Sequence, residues 1–155
     1  MVDYISHEIC RAGQWSKAID LCILGYDERF LRRKVIKTFQ DKKIFVDFKH
    51  TTSLNNHDAF VLEDGRKVEV IAAEEPLYAV TGNLVKLGWH IGNRHTPCQI
   101  EADRLVIQRD PVIEHMLKLL GANVVEISEP FTPEGGAYGY GRTHRHEHGV
   151  TSHDN

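Results

Sequence analysis

Histidine is the residue type whose number and spacing first suggest chemistry. The chain of 155 residues holds ten of them, and four (His144, His146, His148 and His153) fall within the last twelve residues. Neutral imidazole is a good ligand for Ni²⁺, Zn²⁺, Cu²⁺ and Co²⁺, and with an ordinary pKa near about 6.5 it is mostly neutral at pH 7. Histidines at i, i+2 and i+4 of an extended chain point to one side. His144, His146 and His148 can therefore bring at least two nitrogens to one ion after a modest bend. A solvated polar tail or a purification tag is the plainer alternative, but the histidines are not consecutive, which argues against a tag. Composition favours metal binding.

A second pair, His90 and His95, lies at the end of an expected helix. Five residues of helix turn through roughly 140° beyond a full circle, so the two do not share a face and are poor joint ligands. A histidine at a helix end also interacts with the last carbonyls for purely structural reasons. His7, His50, His57 and His115 are isolated and suit surface or packing roles. Cys98 follows His95 by three residues; it could lie near a metal, though a small buried hydrophobe is the commoner fate of a free cysteine. The other cysteines, Cys10 and Cys22, are widely spaced, so neither a disulfide framework nor a zinc ribbon is indicated, and a reducing cytoplasm fits. No GxGxxG, GxxxxGK[ST], GxSxG or HExxH string occurs, and no pair of carboxylates stands out as an acid/base couple. Residues 29–49 hold eight basic and two acidic side chains. These suit either the solvated faces of strands with lysines guarding an edge or a docking surface for an acidic partner.

The elements that must position these groups change character along the chain. Up to about residue 75 the pattern is of strands. Ile44, Val46 and Phe48 alternate with Phe45, Asp47 and Lys49, a period of two. Residues 35–39 are a β-branched and aromatic run of the same kind. Asp64 and Gly65 separate two apolar runs and predict a hairpin with a type I′ turn. Residues 51–56 are polar and turn-rich and predict a loop. Glu74, Glu75 and Pro76 mark a candidate boundary. Beyond it the pattern predicts a short strand at 77–80 and a helix over about 84–94, with cap residues at 81–83. The helix is ended by Thr96 and Pro97, because the residue before a proline avoids helix. Two strands follow at 97–100 and 105–107. A second helix starts with Asp110 as cap and Pro111 at its first position, carries the stripe Ile113, Met116, Leu117 and Leu120, and ends at Gly121. A last strand covers 123–127.

Residues 77–128 thus read β-α-β-β-α-β, the order of a ferredoxin-like split βαβ unit. The expected fold class is α+β: a small all-β N-terminal domain (1–75), a ferredoxin-like domain (76–131) and a flexible Gly/His-rich tail (132–155). The tail's composition offers too little apolar surface to offset the entropy of ordering it. Elsewhere the balance is that of an ordinary globular protein, with 41% hydrophobic and 26% charged residues. A net charge of −3 argues against a general nucleic-acid binder. No apolar run approaches the roughly 18 residues that span a bilayer, and no signal peptide is evident at the N-terminus.

The string WHIGNRHTPCQI at residues 89–100, with His90, Gly92, Asn93, Arg94, His95, Pro97, Gln99 and Ile100 in register, resembles the H-x-G-N-R-H-x-P-x-Q-I signature of UreE, the urease accessory nickel metallochaperone. DPVIEHML at 110–117, PFTPEGGAYG at 130–139 and the histidine-rich end follow in the expected order, so the resemblance covers nearly the whole chain. It implies a peptide-binding-like N-terminal domain, a ferredoxin-like metal domain and a homodimer. It implies that His95 is the interfacial metal ligand, each protomer's His95 facing its mate, with tail histidines such as His144, His146 and His148 completing the coordination. The implied function is to bind Ni²⁺ and hand it to the urease maturation machinery through the accessory GTPase UreG. Some family members carry further histidines where this chain has Arg109, Asp110, Pro111 and Val112, so that accessory site is not carried over.

The expectation is a nickel-delivering binding protein without catalysis. An intracellular nickel or zinc buffer would use the same residues and differs only in lacking delivery to a partner. A metal-dependent hydrolase needs three rigid ligands, an open position and a general base, and one plausible rigid ligand per chain counts against it. An RNA-binding ferredoxin-like domain needs exposed aromatics on its central strands, and strands 97–100 and 105–107 carry none.

Overall fold

The computed structural model describes residues 1–136, which form two compact units, Met1–Ala73 and a second that begins at Glu74. Both combine strands with little or much helix as expected for an α+β protein.

The first unit is a six-stranded sheet. Its strands are β1 (Tyr4–Cys10), β2 (Asp20–Leu24), β3 (Phe30–Lys37), β4 (Lys43–Ser53), β5 (Ala59–Leu62) and β6 (Lys67–Ala72), in the order β2-β6-β5-β1-β4-β3. Neighbours run antiparallel except β1 with β4 and β2 with β6, which are parallel. Alternation drives the layering: Ile44, Val46 and Phe48 of β4 are buried and their alternates are not. They pack with Leu31, Ile36, Phe60, Val68 and Val70 into one core. The hairpin tip after β3 reaches β2, where the Phe39 N–H donates to the Leu21 carbonyl at 2.7 Å, so the two ends of the sheet curl toward each other. Asp58, 1% exposed, accepts from Arg11 Nη1 (2.8 Å) and from the N–H groups of Ala12 (2.9 Å) and Asn55 (2.7 Å), which satisfies a buried carboxylate.

Three local expectations are corrected here. The β5–β6 turn is not type I′, which needs positive φ at both central residues. Only Gly65 has it (φ 89°); Gly65 N–H donates to the Leu62 carbonyl and Leu62 N–H donates to Arg66, both at 2.8 Å, a type I turn closed by a glycine bulge. Thr51, Thr52 and Ser53 are not loop but the end of β4, because Thr52 and Ser53 pair with Leu31 and Phe30. β3 begins five residues earlier than residue 35 for the same reason, and Phe39 lies beyond it, 71% exposed.

The second unit is β7 (Glu74–Thr81), α1 (Leu84–Asn93), β8 (Gln99–Ile100), β9 (Leu105–Gln108), α2 (Pro111–Leu119) and β10 (Asn123–Pro130). The antiparallel strand order β10-β7-β9-β8 is that of the expected ferredoxin-like βαββαβ unit. Glu74 to Pro76 lie within β7. Pro76 is tolerated there because it pairs with Ser128 on one side only; the β9 ladder starts one residue later, at Leu77. Leu87 and Ile91 of α1 and Ile113 and Leu117 of α2 bury against Tyr78, Val80, Leu105 and Ile107. Both helices start as expected. Asn83 accepts from the Lys86 N–H at 3.2 Å, and Asp110 Oδ1 accepts from Val112 (2.8 Å) and Ile113 (3.3 Å) with Pro111 following. No helix of the described residues is long and apolar enough to cross a membrane.

Candidate metal centre

His95 owes its position to the way α1 stops. The N–H of His95 donates to the Gly92 carbonyl (2.9 Å) and that of Thr96 to the Ile91 carbonyl (3.4 Å). This pair of closing bonds requires a left-handed residue between them, and that residue is His95 itself, at φ 56°. Helix α2 ends in the same motif: Gly121 N–H donates to Lys118 and Ala122 N–H to Leu117, both at 3.0 Å, with Gly121 at φ 86°. One unit thus uses the motif twice, once with the glycine it favours and once with histidine. A residue with a Cβ in this conformation costs on the order of 1 kcal/mol or more, and such strain collects at functional positions. The imidazole is carried off the end of the helix and half-exposed.

Around it, His90 is half-buried on α1, its ring edge-on to Trp89 with centroids 5.0 Å apart. Cys98 is half-buried as well. Burial first, and then the Glu134 carboxylate, push its thiol up to about 11, so without a metal it holds its proton at neutral pH. Its Sγ donates weakly to the Gln99 carbonyl at 3.8 Å. The chain beyond β10 returns to this region. Phe131 is fully buried, the Thr132 N–H donates to Gln99 Oε1 (2.8 Å), and the Glu134 N–H donates to the Cys98 carbonyl (2.8 Å). Arg104 ties β10 to the β8–β9 turn, donating to Glu129 (2.6 Å) and Glu101 (2.9 Å).

His95 is therefore the one sequence-selected ligand that the described residues place. His144, His146 and His148 lie outside them, as does His153. Among the described residues no three His, Cys, Asp or Glu side chains converge as a metal site. The left-handed backbone at His95 and the Gln99–Thr132 tie escape sequence reasoning. Proline at 97 signals where the helix must stop, but a glycine-free closing motif has no signature of its own.

The ferredoxin-like second unit, with one histidine held left-handed just beyond a helix end, is a frame suited to binding; in the first unit His57 is also left-handed, at φ 72°. Known proteins agree. Residues 5–73 match the family described as the UreE urease accessory protein, N-terminal domain, and residues 67–155 match the corresponding C-terminal domain. The urease accessory protein UreE of Ruegeria pomeroyi is 63% identical over 142 residues, 91% of this chain and 95% of that protein. Its namesakes in Cereibacter sphaeroides (56% over 145 residues, 93% of this chain and 80% of that protein) and Rhodobacter capsulatus (54% over 138 residues, 89% and 88%) are similar. The chain belongs to the UreE family of urease accessory proteins, chaperones of urease maturation.

Proposed function

We propose that this chain binds Ni²⁺ as cargo and delivers it to the urease maturation complex in the cytoplasm, through the accessory GTPase UreG. The observation that carries the reading is His95 held at a backbone position that favours glycine. The strain sets the His95 imidazole just past the helix end; His57, also left-handed at φ 72°, instead has its ring nitrogen 2.8 Å from Glu69 Oε2.

The working unit is a homodimer in which His95 of each protomer supplies one ligand and His144, His146 and His148 supply others. Support for self-association comes from α1. Val85 (87% exposed) and Trp89 (64%) sit one turn apart on the face opposite Leu87 and Ile91. Support for tail participation comes from the ties of Thr132 to Gln99 and of Glu134 to Cys98, residues four and three positions after His95. From Gly136 the eight residues to His144 reach at most roughly 28 Å. Zn²⁺, Cu²⁺ and Co²⁺ suit the same ligands, and Cu²⁺ should bind more tightly than Ni²⁺, so selectivity for nickel comes from supply and partner contacts.

Calorimetric nickel titration at about pH 7.5 tests this on the full chain, a form ending at Thr143, and His95→Ala. The full chain should bind at least one Ni²⁺ per dimer, truncation should weaken binding or remove sites, and His95→Ala should remove the tightest site. Binding unchanged in His95→Ala overturns the role of His95 and leaves a tail-borne nickel buffer.

A further inference from the structure

The metal centre uses none of the cationic stretch of the first unit. On the outer face of the sheet, β3 pairs Val35 with Phe45 of β4, and Phe45 pairs with Ile5 of β1. The register thus draws one apolar row across three strands. These side chains point away from the core that their neighbours Ile36, Ile44 and Ser6 enter, and Val35 is 48% exposed. One row away lie Arg33, Asp47, His7 and Glu63, a line of alternating charge: Arg33 Nε donates to Asp47 Oδ1 at 2.9 Å, and His7 Nε2 meets Glu63 Oε2 at 2.9 Å. On the other side Lys37 pairs in the ladder with Lys43, and its ammonium lies 3.7 Å from Asp41.

Cations remain in excess. Residues 29–49 carry eight basic and two acidic side chains in a chain whose net charge is −3. Arg32, Lys42, Lys43 and Lys49 are exposed, and among the described residues their side chains show no ion-pair partner; Lys34, opposite the buried Val46, lies on the other face, and Arg29 is buried. Guarding a strand edge against aggregation calls for one or two lysines on the edge strand. It does not account for Lys43 and Lys49 on β4, an interior strand, flanking a half-exposed apolar row.

We propose that the outer face of β3, β4 and β1 docks an acidic segment of a partner protein, which lays apolar side chains along Val35, Phe45 and Ile5 and sets carboxylates against the flanking lysines and arginines. Peptide binding as such is what the family resemblance implies for this unit; the face, the apolar row and the sign of the charge are what the register adds. Each exposed ion pair is weak alone, so the apolar row supplies adhesion while the cations supply orientation and rate.

The test uses the full chain and a pair of synthetic peptides of about a dozen residues. Both have leucine and valine at alternate positions; one has glutamate and the other lysine between them. Binding is followed by amide resonances in ¹⁵N-labelled protein. The glutamate peptide should shift amides of β3, β4 and β1, and the lysine peptide should not. Raising salt from about 50 to about 300 mM should weaken binding several-fold. The double variant Lys43→Glu, Lys49→Glu should weaken it about tenfold or more, and Val35→Ser should weaken it without altering the circular dichroism. The proposal is overturned if both peptides bind alike, if the shifted amides lie elsewhere, or if a single-stranded oligonucleotide shifts the same amides as strongly, which would make the face a nucleic-acid surface. The experiment contains no nickel, so its failure leaves the metal reading untouched.

Discussion

At His95 two demands on one residue conflict, and the conflict can be measured. The closing motif of α1 favours glycine; the proposed metal ligation requires imidazole. His95→Gly should therefore raise the unfolding free energy by about 1 kcal/mol while abolishing the tightest nickel site. His95→Ala keeps the Cβ and the strain, so it should lose nickel without that gain. Paired urea melts and titrations of the three proteins separate the effects, and a less stable glycine variant would show that the left-handed backbone is not strained. His7 offers a second test of a single side chain. Its hydrogen bond to Glu63, and then that to the Asp47 carbonyl, raise its pKa above the usual 6.5. A raised folded-state pKa stabilises fully below 6.5, and the contribution is lost as pH rises through the folded value. The opposite sign holds for Glu101 and Glu129, each held below the usual carboxylate range first by hydrogen bonds from Arg104. Their contribution is present above about 4.5 and lost as pH falls below it. Glu63→Gln should bring the His7 imidazole titration, followed by NMR, back toward 6.5; an unmoved midpoint would assign the shift elsewhere.

Elements differ in how far their cause is local, and that decides what can be read from sequence. Both helices were legible because their signals lie within the helix: Asn83 and Asp110 at the caps, Pro111 after the cap, Gly121 at the end. The turn at Gly65 was legible as a turn but not as a type, since Asp64 could have adopted either sign of φ and only Gly65 takes the positive one. β1 and β2 had no individual signal. β1 gains its partners from residues about forty to fifty-five away, Ile44 to Val46 on one side and Ala59 to Leu62 on the other, and no short pattern encodes such a pairing. The end of β4 was hidden in the same way, behind polar residues that the register with β3 turns into strand. For the site, the motif pointed to His95, but the strain that supports it depends on hydrogen bonds from Gly92 and Ile91 that sequence does not display. Helix α1 also carries a testable weakness. Gly88 sits in its interior with ordinary helical backbone, and a Cβ there would meet Leu105 Cδ1 at 3.8 Å, an ordinary contact. Gly88→Ala should stabilise the protein by about 0.5–1 kcal/mol. A lower melting temperature would mean that the packing of α1 on β9 is tighter than this distance implies.

At the scale of the whole molecule, the proposed site shared between two protomers would tie nickel binding to assembly. If His95 of each protomer contributes a ligand, nickel binds the dimer and not the separated chains, and mass action then requires nickel to tighten the dimer. At free nickel about 100-fold above the site's dissociation constant, the dimer dissociation constant should fall by about 100-fold. Sedimentation at low protein concentration, with and without Ni²⁺, reads this directly. The reciprocal experiment perturbs assembly alone. Trp89 lies on the exposed face of α1 and stands away from the buried Leu87 and Ile91, so Trp89→Glu should leave the fold intact while weakening self-association. It should then weaken nickel binding as much as it weakens the dimer, although it touches no ligand, and raising protein concentration should restore both. His95→Ala should instead abolish the nickel-induced tightening and leave the metal-free dimer as it was. A dimer constant that is the same with and without nickel would place each metal ion within a single chain, and the two-protomer site would be wrong even if every histidine named here binds metal.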